Sequence, residues 1–557
     1  MSLPNTPSPT LPAPLSTSLL TEFIAVEQSH PDTVAFRQFH GQEWERWTYA
    51  EVGHQARVLV QAFRQMGLEP KAKIGVYGES SAYHAITHLA LQMGGFVAVP
   101  LSHQLSGKVL LNRIQVADVK AMVIGKMPTL QILEEIMPKG LIGIASPLCP
   151  ESHTYMKWSD IQAQFPPSQG LHPSSPMDIT SISFGDQDQM IPHTFQEIQA
   201  LGETLEDTLD MSQPRGSLFV HPAYPTNSFH HWIWTLGIAK RIPVCFASPR
   251  SWREALRQYP AYNLIAHSDD WRQLFQKLSD IHAYWKWMVL LSIPIFDLVL
   301  KHRTRKILGL HKLQVAVSEG QPLSPQALAL FRKLGIHVLE MYGHPEALGA
   351  LTINRPALIQ AGTKGQPFPK CELKVHRESG EIIAKAPWLA KRKLDPEAPS
   401  RIQEGWLHTG KRGSWAETGQ LIVEGDLDKP YPAKGTGEMC IQQIEGKFTD
   451  IHGIKRAVIL EKPNGKKWAY LNMERPLSDL LPDKLRNQSA RILKKVNQTL
   501  LPELRIDHLV VMEADWTAHQ GGLLPSLEAD RDWIADKASK LKWSHPKLPA
   551  VLLESED

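Results

Sequence analysis

Histidine, cysteine and serine are the residues whose spacing most directly indicates a reaction, and here their spacing indicates none. His230 and His231 form the only adjacent histidine pair, and nothing near them completes the ligand spacing of a metal site. The four cysteines lie far apart and form no CxxC pair, which argues against a zinc site or a disulfide scaffold. No Gly-x-Ser-x-Gly segment supplies a hydrolase nucleophile. Any chemistry must therefore come from other segments of the chain.

Six short segments together carry a recognisable pattern. In chain order they are residues 47–52 (WTYAEV), 318–324 (SEGQPLS), 341–346 (MYGHPE), 362–367 (GTKGQP), 405–410 (GWLHTG) and 521–531 (GGLLPSLEADR). In this order they resemble the signatures of the adenylate-forming (AMP-binding) superfamily, closest to the long-chain fatty acyl-CoA synthetases. The fourth segment departs from the family's GxVGxP, because Lys364 stands in place of the valine. The resemblance covers nearly the whole chain.

The resemblance implies a reaction in two steps. ATP and a carboxylic acid give an acyl-adenylate, and a thiol then displaces AMP. The phosphates need backbone N–H donors and a lysine, magnesium needs oxygen ligands, the ribose needs a carboxylate, and the α-phosphate needs facing cations. ATP, magnesium and CoA are therefore expected as cofactors only if the chain is an active ligase.

The phosphate-binding loop is the first place where the chain departs from the family. The family has three glycines and a lysine between a strand and a helix. Residues 184–190 (FGDQDQM) have one glycine, no lysine and two aspartates. An anion-binding loop needs glycines so that the backbone can approach the phosphates. We predict that this loop does not grip a triphosphate in the family's way, and that a helix begins near Phe195.

Three further positions carry a charge opposite to the one that the resemblance implies. Lys411 stands where the family has the ribose-binding aspartate; it has no acceptor for the hydroxyl groups, and we expect its side chain to be solvated. Asp426 stands in place of the hinge-side arginine. Glu528 stands in place of the lysine that contacts the acyl carboxylate and the α-phosphate, and it would repel both. Shifting the alignment by one residue offers only Leu527 or Ala529.

Some family positions keep a matching residue. Glu346 matches the magnesium-binding glutamate, and Tyr342 matches the aromatic residue that stacks near adenine. Gly343, Gly320 and Thr409 complete the residual nucleotide-site candidates. Structural explanations also exist, because Tyr342 and Gly343 end a predicted buried strand and Glu346 could cap the helix that follows.

These losses predict a pseudoenzyme. Removing one charge that stabilises a transition state typically slows a reaction by about 10²–10³, and here three charges are reversed. We expect a protein that cannot adenylate fatty acids and acts as a noncatalytic binding or assembly subunit, for a protein partner, an acyl chain or an acyl carrier. The first alternative is a divergent ATP-dependent long-chain fatty acid–CoA ligase in which Lys411 or Lys429 replaces a lost cation. The second is a membrane-surface adaptor.

The elements that must position these residues follow an α/β pattern. Short apolar strands alternate with helices through the first three quarters, as in parallel βαβ units. The predicted strands are residues 73–78, 96–100, 121–124, 217–220, 244–247, 313–317 and 337–340. With the resemblance, we expect an α/β fold: a leader over 1–18, then a large N-terminal domain over 19–425 with two parallel-sheet subdomains and an antiparallel β subdomain from about 365. A small, mobile α+β C-terminal domain over 426–557 completes it, with a helix over 483–500.

Composition bounds the partners and the location. The 557 residues carry a net charge of +3, too near neutral to indicate nucleic-acid binding. From Trp285 to Lys306 the chain reads WKWMVLLSIPIFDLVLKHRTRK, in which the apolar run is too short for a membrane span. It predicts a partly buried helix with a basic end; the alternative is an interfacial anchor with a basic rim. We expect a cytoplasmic protein, membrane-associated under that alternative.

Overall fold

The computed structural model describes 15 stretches of the chain. They are residues 19–185, 188–209, 218–220, 237–238, 241–248, 251–392, 394, 400–427, 441–462, 464–473, 482–512, 516–517, 522–524, 529–539 and 550–552. Within them, four β-sheets form the framework.

The strands are β1 (Val34–His40), β2 (Glu43–Thr48), β3 (Lys73–Tyr77), β4 (Val97–Leu101), β5 (Val119–Ile124), β6 (Ile142–Ala145), β7 (Met156–Lys157), β8 (Ile179–Phe184), β9 (Met190–Thr194), β10 (Leu218–Val220), β11 (Val244–Phe246), β12 (Asn263–His267), β13 (Val315–Glu319), β14 (Val338–Tyr342), β15 (Thr352–Ile353), β16 (Gln366–Pro367), β17 (Glu372–Val375), β18 (Glu381–Lys385), β19 (Ile402–Gln403), β20 (Trp406–Trp415), β21 (Leu421–Asp426), β22 (Ile454–Glu461), β23 (Lys467–Met473), β24 (His508–Met512) and β25 (Ala550–Leu552). The α-helices are Leu19–Ser29, Tyr49–Gln65, Ala82–Gly94, Gly107–Val116, Gln131–Ile136, Trp158–Gln164, Phe195–Thr208, Trp252–Gln258, Ser268–Ile281, Tyr284–Leu290, Phe296–Leu308, Pro325–Lys333, Ile441–Thr449, Pro482–Asn497 and Arg531–Ser539.

The first sheet has seven strands in the order β7-β6-β5-β3-β4-β8-β9. Every neighbouring pair is parallel except β8 and β9. Helix Ala82–Gly94 connects β3 to β4; the Ser81 hydroxyl accepts a hydrogen bond from His84 N, and Gly95 ends the helix at φ 73°, a conformation that suits glycine. The predicted βαβ pattern is confirmed here.

The second sheet has nine strands in the order β16-β15-β14-β13-β12-β10-β11-β1-β2. Its centre is parallel, whereas β2 at one edge and β15 and β16 at the other are antiparallel to their neighbours. The carboxyl ends of β13 and β14 carry two of the candidate segments, those with Gly320 and with Tyr342. In α/β sheets ligands bind beyond the carboxyl ends of strands.

Two smaller sheets complete the framework. The third joins β17, β18, β20, β19 and β21, and all its pairs are antiparallel, as predicted for this part of the chain. The fourth joins β22 to β25. Helix Ser268–Ile281 contacts this sheet and the helix before it: Arg456 Nη2 on β22 lies 3.3 Å from Asp269 Oδ2, and Gln276 Nε2 donates at 2.7 Å to the carbonyl of Thr449, which ends the helix Ile441–Thr449.

Two local predictions were wrong. Residues 184–194 do not lead from a strand through a loop into a helix, because Met190–Thr194 returns as an edge strand, β9, before the helix begins at Phe195. Residues 285–300 do not form one partly buried helix. They form the helix Tyr284–Leu290, a turn, and the start of the helix Phe296–Leu308, and many of their apolar side chains are exposed.

Candidate functional site

The end of strand β14 carries three of the residual nucleotide-site candidates. Tyr342 closes the strand and packs, half-buried, against the main hydrophobic core. The chain then turns into the 3-10 helix Pro345–Ala347, which carries Glu346. Gly343 is required in between, since a Cβ atom there would lie 1.8 Å from the carbonyl oxygen of Gly349. Tyr342 and Gly343 therefore have structural roles, whether or not a nucleotide binds.

The Glu346 carboxylate is buried and already engaged. It forms a short hydrogen bond with His344 Nδ1, and its other oxygen lies 4.0 Å from Arg401 Nε. Burial alone would raise the pKa of Glu346, but the contact with His344 and the charge of Arg401 bring it below its ordinary value. The group is thus ionised and could supply one oxygen ligand to a cation. Within the described stretches, no three His, Cys, Asp or Glu side chains are grouped as a metal site.

Arg401 connects Glu346 to strand β20. Its Nη1 donates to Thr409 O at 3.3 Å. The Thr409 hydroxyl donates to Ile382 O at 2.7 Å and accepts from Lys411 N at 3.1 Å. Thr409 is therefore buried and used inside the sheet. Sequence reasoning missed Arg401, because no motif surrounds it and its role depends on a contact 55 positions away in the chain.

Lys411 and Asp426, two of the charge-reversed positions, form an ion pair with each other. They are register partners in β20 and β21, and Lys411 Nζ lies 2.7 Å from Asp426 Oδ1. The side chains are 21% and 28% exposed, so the prediction of a solvated Lys411 was wrong. The pair places an ammonium group, held by a carboxylate, where the resemblance implies a ribose-binding carboxylate.

A second ion pair lies beneath Gly320. That glycine has φ 96°, and a Cβ atom on it would come within 2.3 Å of His267 Nε2. Its carbonyl accepts a hydrogen bond from Lys364 Nζ at 2.7 Å, and the same ammonium group lies 3.6 Å from Glu340 Oε1. Lys364 is 3% exposed and Glu340 is fully buried. The lysine that replaces the family's valine thus brings a buried charge to this loop.

Burial also affects the two carboxyl groups beside Lys364. It raises the pKa of Glu340, against the opposing charge of Lys364. It raises the pKa of Glu319 to about 8, again opposed by Lys364. One ammonium group therefore faces two carboxyl groups that resist ionisation, which is a costly arrangement unless it is well paired.

The described part of the phosphate-loop segment is tied to a neighbouring helix. Arg113, on helix Gly107–Val116, is buried, and its Nε lies 2.7 Å from Asp188 Oδ1 while its Nη2 donates to Gly185 O at 3.2 Å. Asn112 Nδ2 donates to Asp188 Oδ2 at 2.9 Å. Asp188 is thus held by a cation of the protein, a partner that no sequence motif indicates.

Several predicted residues lie outside the described part of the chain. They are Glu528, Lys429, His230 and His231, and the loop residues Asp186 and Gln187. Among the described candidates, Arg401 contacts both Glu346 and Thr409. Thr409 in turn contacts Lys411, which pairs with Asp426. Gly320 belongs to a separate group, because its carbonyl is bonded to Lys364.

Known proteins resemble this chain in sequence. Residues 23–182 match the family described as AMP-binding enzyme. The long-chain-fatty-acid–CoA ligase ACSBG2 of Xenopus laevis is 22% identical over 450 residues, which cover 71% of this chain and 61% of that protein. The uncharacterized acyl–CoA ligase YtcI of Bacillus subtilis is 23% identical over 442 residues, covering 75% and 78%. The long-chain-fatty-acid–CoA ligase 5 of Mus musculus is 34% identical over 263 residues, covering 40% and 38%. The matches to the first two curated relatives span 61% and 43% of their lengths.

Solved structures resemble it in fold. The benzoate CoA ligase from Burkholderia xenovorans LB400 has a TM-score of 0.72 at 14% identity and covers 93% of this chain and 99% of its own. O-succinylbenzoate CoA synthetase (MenE) from Bacillus subtilis, in complex with ATP and magnesium, has a TM-score of 0.68 at 14% identity, covering 92% and 99%. The fold is that of the adenylate-forming CoA ligases, with a large N-terminal and a smaller C-terminal domain. The predicted family resemblance and fold class are confirmed.

Proposed function

We propose that this protein is a pseudoenzyme, since residues 23–182 match the AMP-binding enzyme family and the chain has the fold of the CoA ligases. It does not form acyl-adenylates, and it serves as a noncatalytic binding or assembly subunit. Its ligand is an acyl chain or an acyl carrier, a class suggested by the relatives named long-chain-fatty-acid–CoA ligases. A protein partner supplies or uses what it holds.

The Lys411–Asp426 ion pair is the observation that carries this proposal. A ribose diol needs an acceptor at position 411, and a lysine has three donors and no acceptor. The Nζ–Oδ1 distance of 2.7 Å means that Asp426 holds the ammonium group in place. To bind a nucleotide as the family does, the protein would have to break this pair and still lack the acceptor.

Two other contacts support the same conclusion. The Asp188 carboxylate on the phosphate-loop segment is bonded to Arg113 and Asn112, so it fixes the loop to a helix while Arg113 balances its charge. The Glu346 carboxylate is bonded to His344, so a magnesium ion would have to compete with that hydrogen bond.

Isothermal titration with Mg-ATP tests the nucleotide half of the proposal. We expect no saturable heat up to millimolar ATP. The matched variant is Lys411→Asp/Asp426→Arg/Glu528→Lys, which restores the charge signs implied by the family resemblance and is expected to bind ATP more tightly than the natural chain. Micromolar ATP binding by the natural chain would overturn the proposal.

Two assays separate ligand holding from catalysis. Displacement of a fluorescent fatty acid by palmitate measures acyl binding, and we expect saturable displacement. Pyrophosphate release with a panel of fatty acids, ATP and CoA measures ligase turnover, and we expect none above a Lys411→Ala control. Turnover that disappears in Lys411→Ala would establish the active-ligase alternative, with Lys411 as a replacement cation.

A further inference from the structure

Exposed apolar side chains are concentrated on one short part of the chain. Among the described residues, 15 large hydrophobic side chains are exposed, and 9 of them lie between residues 281 and 307. The most exposed are Ile295 at 79%, Leu298 at 72%, Phe296 at 65% and Trp285 at 63%. Scattered apolar residues are ordinary on a protein surface, but a contiguous group of this kind marks an interaction site.

The two helices that carry this group are firmly attached to the protein. Each helix has buried side chains on one side: Trp287, with Leu291 directly after it, for the helix Tyr284–Leu290, and Thr304 and Leu308 for the helix Phe296–Leu308. Trp287 Nε1 also donates to Leu278 O at 2.7 Å. The exposed side chains therefore belong to an anchored structure, which we name the apolar tip: the exposed apolar residues from Trp285 to Val299.

The backbone at the summit of the apolar tip is strained. Ile295, between the helices Tyr284–Leu290 and Phe296–Leu308, has φ 71° and ψ −47°. This is close to the γ-turn region that is rare for any side chain and adverse for a β-branched one. Glycine would adopt it freely. The protein thus holds a strained isoleucine at its most exposed apolar position, which folding alone does not require.

Basic residues flank the apolar tip in the chain, and we name the exposed ones that follow it, His302, Arg303 and Lys306, the basic collar. Residues 281–312 contain six lysines and arginines but a single carboxylate, Asp297, and Lys301 Nζ lies 2.7 Å from its Oδ2. The basic collar lies on the helix Phe296–Leu308. From Phe296 to Arg303 that helix rises about 10 Å. The apolar residues at the start of the helix are therefore separated along its axis from the basic residues that follow, so the former can enter the boundary of the acyl chains while the latter stay at the headgroups.

We propose that the apolar tip docks this protein on the surface of an anionic phospholipid bilayer. The exposed apolar side chains around Ile295 enter the boundary between the headgroups and the acyl chains, and the basic collar contacts the lipid phosphates. The exposed apolar residues lie at the turn between two helices, and exposed basic residues follow on the second helix, a combination that suits the surface of an anionic bilayer. No described helix is long and apolar enough to cross a membrane. This docking is independent of whether the nucleotide site is active.

Cosedimentation with lipid vesicles tests the docking. We expect the natural chain to bind vesicles of phosphatidylcholine with 30% phosphatidylserine, and to bind pure phosphatidylcholine more weakly. Neutralising the collar as Arg303→Gln/Lys306→Gln should weaken binding to the anionic vesicles about fivefold for each charge removed. Salt should weaken the binding of the natural chain and have less effect on this variant.

A second pair of variants separates docking from folding. Ile295→Gly removes the most exposed apolar side chain, so we expect weaker vesicle binding. It also relieves the strained backbone, so we expect a melting temperature no lower than that of the natural chain. Phe296→Glu should lower vesicle binding at least tenfold, whereas Leu501→Glu, at an exposed apolar residue outside the apolar tip, should have no effect.

Three results would overturn the proposal. The first is that the natural chain does not sediment with anionic vesicles. The second is that Ile295→Gly and Phe296→Glu bind them as well as the natural chain. The third is that the natural chain is a dimer that Phe296→Glu dissociates while vesicle binding is unchanged, which would assign the apolar tip to a second copy of the chain.

Discussion

Reversing the Lys411–Asp426 pair gives the sharpest test of the site. The pair joins neighbouring strands at an Nζ–Oδ1 distance of 2.7 Å, with side chains 21% and 28% exposed. In a medium with a dielectric constant of about 40, Coulomb's law gives about 3 kcal/mol at that distance. Desolvation and side-chain entropy reduce this, and measured pairs of such exposure contribute about 0.2–1 kcal/mol. We take about 1 kcal/mol as the attraction.

The variants follow from that figure. Lys411→Asp places two carboxylates side by side, and Asp426→Arg places two cations side by side, so each should lose about 1 kcal/mol of attraction and add repulsion of a similar size. The double variant restores an opposite-charge pair, and its free energy of unfolding should lie within about 0.5 kcal/mol of the natural value. The coupling energy is then about 4 kcal/mol, because the two single variants each lose about 2 kcal/mol and the double variant loses almost nothing.

Equilibrium urea unfolding of the four proteins measures this cycle, provided that the slope with urea is unchanged. The control is the reversal Asp118→Lys/Lys120→Asp, because that pair has a similar distance of 2.6 Å but side chains 63% and 52% exposed, and its coupling should be below about 0.5 kcal/mol. A Lys411/Asp426 double variant that is destabilised by the sum of the single variants would refute the reasoning.

Three further perturbations test the surrounding contacts by the free energy of unfolding. Lys364→Val, which installs the family's residue, removes the cation beside the buried Glu340 carboxyl group; since burial already raises the pKa of Glu340, the group takes up a proton, and the loss of stability should be about 1–3 kcal/mol. Adding Glu340→Gln should recover part of that loss, and no recovery would contradict the pairing. Glu319 has a folded-state pKa of about 8 against an ordinary 4.5, so the folded state binds the proton more tightly, and stability falls as pH rises from about 4.5 to about 8. The free energy of unfolding of Glu319→Gln should therefore equal that of the natural chain near pH 4.5. It should then exceed the natural value by a difference that grows by at most about 1.4 kcal/mol per pH unit up to pH 8, and a constant difference across that range would contradict the pKa. Asp188→Asn should lose about 2–3 kcal/mol, because Arg113 is buried and keeps its charge, and a loss below about 0.5 kcal/mol would show that the loop is not held by this contact.

Much of the fold was predictable because its strands are short, apolar and separated by helices. The strands near residues 73, 97 and 119 were found at their observed positions within two residues, since buried parallel strands leave continuous apolar runs. Strand β9 was missed because it contains Pro192. Proline normally argues against a strand, but β9 is an edge strand, where one missing N–H donor is tolerated.

The charge-reversed positions of the candidate site could be identified from the sequence, but their contacts could not. Lys411 and Asp426 could each be identified as a reversed charge from the motif around it, but their pairing depends on the register of β20 with β21. The two aspartates of residues 184–190 were noted only as a departure from the phosphate-binding loop, whereas Asp188 pairs with Arg113, which lies 75 positions earlier on another element. Contacts between distant segments are fixed by the fold, and a single sequence carries no local signal for them.

The Lys411–Asp426 pair separates what the fold requires from what a ligand requires. Attraction between neighbouring strands needs only opposite charges, so a lysine facing an aspartate stabilises the sheet as well as the aspartate and arginine that the family resemblance implies. A nucleotide depends on which position carries which sign, because its ribose hydroxyls need an acceptor. Exchanging both signs therefore preserves the sheet and removes the acceptor. A protein can therefore keep the six family segments and the stable sheet while it lacks the acceptor for the ribose. If this reasoning is right, the charge-restored variant should bind ATP more tightly than the natural chain.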